Sequence, residues 1–256
     1  MTRTTWRAAA LAALIGLASI ASAAQADTTL TYVGASGQYK VYITPDAVRI
    51  DGDGNGWQLY RRADPAIISV SPKDQTYTRL DKNTAGEIRH QMDALRARIE
   101  NRLQQLPADR RPAARAAMAA KIPGLDGKQQ SIGLDHTGAT DKVDGISCDV
   151  IQIVRGGQPA DKICVASADA LGLSSDSFGT VKSMFALLRN MLSGTGLEGI
   201  GLPYRNLSGM PIRFHDSLSG EQRALAAVSH DAIPSSRFAI PDNYVEQKPE
   251  APSPGN

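Results

Sequence analysis

The stretch RIDGDGNGWQLYRR, Arg49 to Arg62, decides how the rest of the chain is read. Asp51, Asp53, Asn55 and Gly56 fall on slots 1, 3, 5 and 6 of a helix-flanked calcium loop, where oxygen ligands and a sharp-turn glycine are required. Slot 12, which needs a bidentate Glu, holds Arg62. A guanidinium there opposes the metal. The flanks argue the same way, because AVRID before it and GWQLYR after it are β-rich runs and not amphipathic helices. DGDGNG is therefore expected to be a hairpin connection, in which Gly and Asn supply positive φ and Asp tolerates it.

Reading outward, the segments TLTYV, YKVYI, AVRID, GWQLYR, AIISV and TYTRL follow one another between Thr28 and Leu80, separated by turn residues. Strands of this length at this spacing predict an antiparallel meander. The pattern changes at Thr84. Thr84-Ala-Gly-Glu87 has the form of a capping box, and Ile88, Met92, Leu95, Ile99, Leu103 and Leu106 then recur at helical spacing. Pro107 ends that helix; a second helical segment runs from Asp109 to about Ile122, before Pro123-Gly124. The insert 84–122 is basic, with eight Lys/Arg against four Asp/Glu between Thr84 and Lys121. Its interspersed acids favour a solvated face over a lipid-binding one.

Strands are expected to resume near Lys128, with Gly-bearing turns. Another helix is predicted from about 175 to 192, with Phe178, Val181, Met184, Phe185, Leu188, Met191 and Leu192 on a broad apolar face. A last hairpin joins MPIRFHDS to RALAAVSHDAI, and the Pro-rich, charged tail 246–256 is expected to be disordered.

The N-terminus carries Arg3 and Arg7, an apolar run from Ala8 to about Ile20, and Ala24-Gln25-Ala26. This predicts a signal peptide, residues 1–26, cleaved after Ala26, and hence a periplasmic location, with residues 27–245 forming one domain. No later segment approaches the roughly 20 apolar residues of a membrane span. The whole sequence has 28 Lys+Arg and 26 Asp+Glu; the leader takes two Arg and no acid with it, leaving a neutral mature chain. A global basic field for nucleic acid is absent.

The two cysteines, Cys148 and Cys164, lie in CDVIQIVRGGQPADKIC. A hairpin centred on Gly156 sets residue 148 directly opposite residue 164, within disulfide reach. Export makes such a bridge persistent. The four histidines, His90, His136, His215 and His230, show no metal-ligand spacing, although His215 and His230 flank the last hairpin turn, and no catalytic motif occurs. No cofactor, metal site or enzymatic activity is expected.

About ten strands and two helical inserts, each with a wide apolar stripe, imply an α+β fold: a curved antiparallel sheet with the inserts packed over its concave face. On the residues TPDAVRID, KDQTYTRL, Leu106 to Arg110, VDGISC, KICVA, GMPIR and IPSSRFAIPDNY, the chain resembles a bacterial envelope family, domain of unknown function 4412. That family is similar to the lipoprotein carriers LolA and LolB and to the stress regulator RseB. The resemblance implies an unclosed, LolA-like half-barrel with helices over its mouth, and supplies no catalytic residues. The leading expectation is a non-enzymatic protein that binds a lipid, a lipoprotein acyl chain or another apolar ligand. Its cavity or lid would be formed by Ile88, Met92, Leu95, Ile99 and Leu103, with Phe178, Met184, Phe185 and Leu188. The alternative is an envelope interaction or stress-sensing module that contacts another envelope protein through a filled core with no ligand.

Overall fold

A computed structural model describes residues 27–52, 56–121, 132–192, 207–215 and 220–248. Residues 1–26, expected to be a signal peptide, residues 53–55 of the DGDGNG connection and the tail from 249 onward lie outside the described residues.

The six expected strands are present, as β1 (Thr28–Gly34), β2 (Gly37–Ile43), β3 (Ala47–Asp51), β4 (Trp57–Arg61), β5 (Ile67–Ser71) and β6 (Thr76–Leu80). Each pairs antiparallel with the next. At the opening stretch Asp51 lies opposite Trp57, and the Gly52 amide donates to the Gly56 carbonyl at 3.3 Å, so β3 and β4 form a hairpin. The carboxylate that would occupy calcium slot 1 is already engaged. Arg49 Nε lies 2.5 Å and an Arg237 nitrogen 3.7 Å from Asp51.

Helices α1 (Lys82–Gln104) and α2 (Arg111–Lys121) follow, then β7 (Ile132–Val143), β8 (Ile146–Arg155) and β9 (Gln158–Ser167). Helix α3 (Ser175–Leu192) precedes β10 (Gly209–His215), β11 (Gln222–Ser229) and β12 (Val245–Gln247). These strands make one curved, unclosed sheet of twelve, in the order β12-β6-β5-β4-β3-β2-β1-β11-β10-β9-β8-β7. Every pairing is antiparallel except that of β12 with β6. At the β7 end the sheet curls enough for Arg213 of β10 to form an ion pair with Asp141 of β7, three strands along. A bulge at residues 137–139 bends β7 there, and Gly138, with positive φ, sits in that bulge and not in a turn between strands.

Three further expectations need correction. Helix α1 is capped by Asp81, whose carboxylate accepts from the Asn83 and Thr84 amides, and not by a box starting at Thr84. Thr84 instead donates its hydroxyl to that same carboxylate. Glu246 and Gln247, assigned to the disordered tail, are paired with Tyr77 and Thr78 in β12. The disulfide Cys148–Cys164 is present, with Cα atoms 5.4 Å apart, yet Cys164 lies opposite Val150 and Cys148 is its diagonal neighbour. The turn uses two residues, Gly156 and Gly157, both with positive φ, and Ala160 drops out of register beyond it. Together these slide the strands by two positions without turning either cysteine to the other face.

The concave face holds the main core. Leu30 and Tyr32 of β1, Val41 and Ile43 of β2, Val48 of β3 and Ile212 of β10 pack there against Val181, Met184, Leu187 and Met191 of α3. The convex face of β4 and β5 is covered by the segment between β11 and β12, which includes a 3-10 turn at Ser235–Phe238. Phe238, Ile240 and Tyr244 lie on Leu59, Ile68 and Val70, which are at most 4% exposed. Polar pins fix that strap, since Arg49 and Arg61 donate to the Arg237 and Phe238 carbonyls at 2.6 and 3.1 Å. It ends in β12, which covers the outer edge of β6 and so removes an open strand edge.

Candidate functional site

A cavity of about 150 Å3 lies between α3 and the concave face. Its floor is built by alternation, since Tyr39 and Val41 of β2, and Val48 and Ile50 of β3, are two residues apart and share one face. Tyr32 of β1 and Met210, Pro211 and Phe214 of β10 form the far wall, and Val181, Met184 and Phe185 of α3 form the roof. All eleven lining residues carry apolar or aromatic side chains, and the buried Tyr32 hydroxyl donates to the Pro211 carbonyl at 3.0 Å. The Tyr32 ring stacks on Tyr39 with centroids 4.8 Å apart and meets Phe214 edge-on at 5.8 Å. These contacts hold the aromatic wall rigid.

The roof is placed by the start of α3. Ser174 caps the helix, accepting from the Ser177 amide at 3.1 Å, and the Thr180 hydroxyl donates to the Pro45 carbonyl in the β2–β3 turn. Ser177 and Thr180 are fully buried, so small side chains let the helix approach the sheet. Around the mouth, Tyr39, Ile50, Phe185 and Phe214 remain half-buried.

The expected site residues divide by helix. On α3, Met184 and Phe185 line the cavity, while Phe178 and Leu188 pack at the margin of the main core. On α1, none of Ile88, Met92, Leu95, Ile99 and Leu103 borders this cavity. Met92 and Leu103 are buried, and the other three are half-buried. Ile99 and Leu103 line a different hollow, between α1 and α2, of about 250 Å3, which also has Arg96, Glu100 and Arg115 in its wall. An Arg115–Glu100 ion pair of 2.5 Å spans that hollow. Sequence reasoning missed the sheet side of the cavity, although strand alternation places Tyr32, Tyr39, Val41, Val48 and Ile50 on the inward face.

The cavity wall offers apolar and aromatic contact. His215 and His230 do not face each other: His215 pairs with Asp161 at 2.7 Å, and His230 lies beside Thr28 at 3.4 Å. Among the described residues no group of three His, Cys, Asp or Glu converges as metal ligands would.

No family model matches the chain, and no curated protein matches it. Among solved structures it is similar to PNGF-II, with a TM-score of 0.41 and 8% identity. The match covers 87% of this chain and 31% of that one, so the chain spans less than a third of PNGF-II. A likeness this distant assigns neither fold nor function.

Proposed function

We propose that this is a non-enzymatic binding protein of the bacterial envelope that holds an apolar group, such as the end of a lipid acyl chain, under α3. The observation that carries the reading is the cavity, with its apolar lining and half-buried aromatic mouth. Its size limits the guest. At about 150 Å3 it is below the roughly 300–1,000 Å3 of sites that enclose a whole small molecule, and comparable to cavities that take one benzene-sized guest. A chain end or a ring fits; a whole lipid needs α3 to move outward.

Export to the periplasm is supported by the leader-like N-terminus and by the Cys148–Cys164 bridge, which an oxidising compartment preserves. Among the described residues no helix is long and apolar enough to cross a membrane. The resemblance to the envelope family of unknown function and its lipoprotein-carrier relatives agrees with this reading.

One observation favours the alternative, an interaction module without a ligand: Leu30, Ile43 and Ile212 are fully buried, so much of the interior is already filled. Titration with a fluorescent fatty-acid analogue separates the two readings. Wild type should bind it saturably, and Met184→Trp, which fills the cavity, should abolish binding while the protein stays folded. No binding by a folded wild type rejects the ligand and leaves the interaction module.

A further inference from the structure

A buried cation stands at one end of the cavity, where β1 turns into β2. Arg223 is 4% exposed. Its guanidinium meets Glu221 Oε2 at 3.2 Å and donates to the Ser36 hydroxyl at 3.1 Å and the Gly37 carbonyl at 3.4 Å. It also lies 5.5 Å from the centre of the Tyr39 ring, and Arg223 is paired directly opposite Phe214. Tyr39 and Phe214 are walls of the cavity, so the charge is separated from the apolar space by one layer of aromatic rings. Room for it depends on Gly34, where a Cβ would fall 2.8 Å from the Arg223 Cδ and 3.1 Å from Nε.

A buried ion pair is a poor source of stability, because desolvation offsets most of its Coulomb energy and apolar replacements often do as well. Placed against an apolar cavity, it supplies the orienting polar end that small-molecule sites have. The two partners are unequally buried: the Glu221 side chain is 23% exposed and the Arg223 side chain 5%. Glu221 also accepts the Ser36 hydroxyl at 2.7 Å, at the edge of the site. An outer carboxylate held on an inner guanidinium is a position where the anionic head of a ligand can exchange.

We infer that the ligand is an anionic amphiphile, whose chain enters the cavity and whose carboxylate or phosphate head takes the place of Glu221 on Arg223. This rests on the binding reading above. The test compares three probes of one chain length, a fatty acid, a lysophosphatidic acid and the neutral fatty alcohol, by displacement of a neutral apolar dye. Wild type should bind one or both anions about tenfold or more tighter than the alcohol, the equivalent of one charge-assisted hydrogen bond; which anion leads identifies the head. Glu221→Gln should tighten the anions and leave the alcohol unchanged, and Arg223→Gln should erase the preference. Equal binding of all three probes, or an unchanged anion affinity in Glu221→Gln, overturns the inference and leaves the cavity reading standing. Failure of all three probes to bind removes the cavity reading itself. Should Arg223→Gln not fold, Glu221→Gln still decides.

Discussion

Helices α1 and α3 both carry apolar residues at regular helical spacing, and only α3 roofs the cavity. Over its 18 residues α3 has three charged side chains, Asp176, Lys182 and Arg189, and it buries Ser177, Thr180, Val181, Met184, Leu187 and Met191. Over 23 residues α1 buries only Ala85, Met92 and Leu103. Its stripe is about one residue per turn wide and is bordered by Arg89, Arg96, Arg98 and Arg102. Periodicity says that a helix has an inner face; the width of the arc free of charge says how deep that face can go. The narrow stripe of α1 serves at the side of the fold, against α3, α2 and β6.

The strongest way to break this comparison is a matched pair of truncations. Leu187→Ala, in α3 at 6% exposed, should destabilise by about 2–5 kcal/mol. Leu95→Ala, half-buried on α1, should cost about 1 kcal/mol, because less apolar surface is lost and solvent fills the gap. Denaturant unfolding of both measures the difference; equal losses would mean that α1 is as deeply seated as α3.

The disulfide sharpens the same contrast, since Cys148 and Cys164 belong to the core that α3 covers. Replacing both by Ala should lower stability by about 3 kcal/mol. Combined with Leu95→Ala, the two losses should add to within about 0.5 kcal/mol, as expected for separate sites. A larger discrepancy in the combined variant would show α1 coupled to the disulfide core.

The smallest expected effect concerns how α1 starts. The Asp81 carboxyl is held below its ordinary value first by the Thr84 amide, with further help from the Thr84 hydroxyl, Arg79 and the Asn83 amide, against the opposing cost of desolvation. A depressed carboxylate stabilises the fold above its unfolded pKa, and the contribution is lost as pH falls through the folded value. Asp81→Ala should therefore cost about 1 kcal/mol at neutral pH. The gap to wild type should narrow once the pH drops below about 4. A gap that stays constant to low pH would mean that the cap works without its charge.

The meander was legible because alternation and turn residues are local: the six runs between Thr28 and Leu80 became six strands. The disulfide was legible to the level of which cysteines meet, and its register was not, because the bulge at Ala160 leaves no mark in composition. Asp81 was visible directly before α1, but the box-like spacing of Thr84 and Glu87 competed with it. The strap at 234–244 has no periodicity, so its role depends on the convex face it meets. Arg223 did leave a signal, having the same parity as buried Leu225 in QRALAAVS, which turns it inward.

The place of β1 also fixes when the sheet can be completed. Thr29 has Tyr42 on one side and Ser229 on the other. About 200 residues of chain separate Thr29 from that second partner, so their pairing is strongly non-local. Until Ser229 pairs, one edge of the central strand has no native neighbour, and pairing over such a sequence distance is intrinsically slow. The finished sheet is thus closed in its middle by its late-made end. A chain cut before β11 keeps every strand of the meander and loses the seam that joins the two halves.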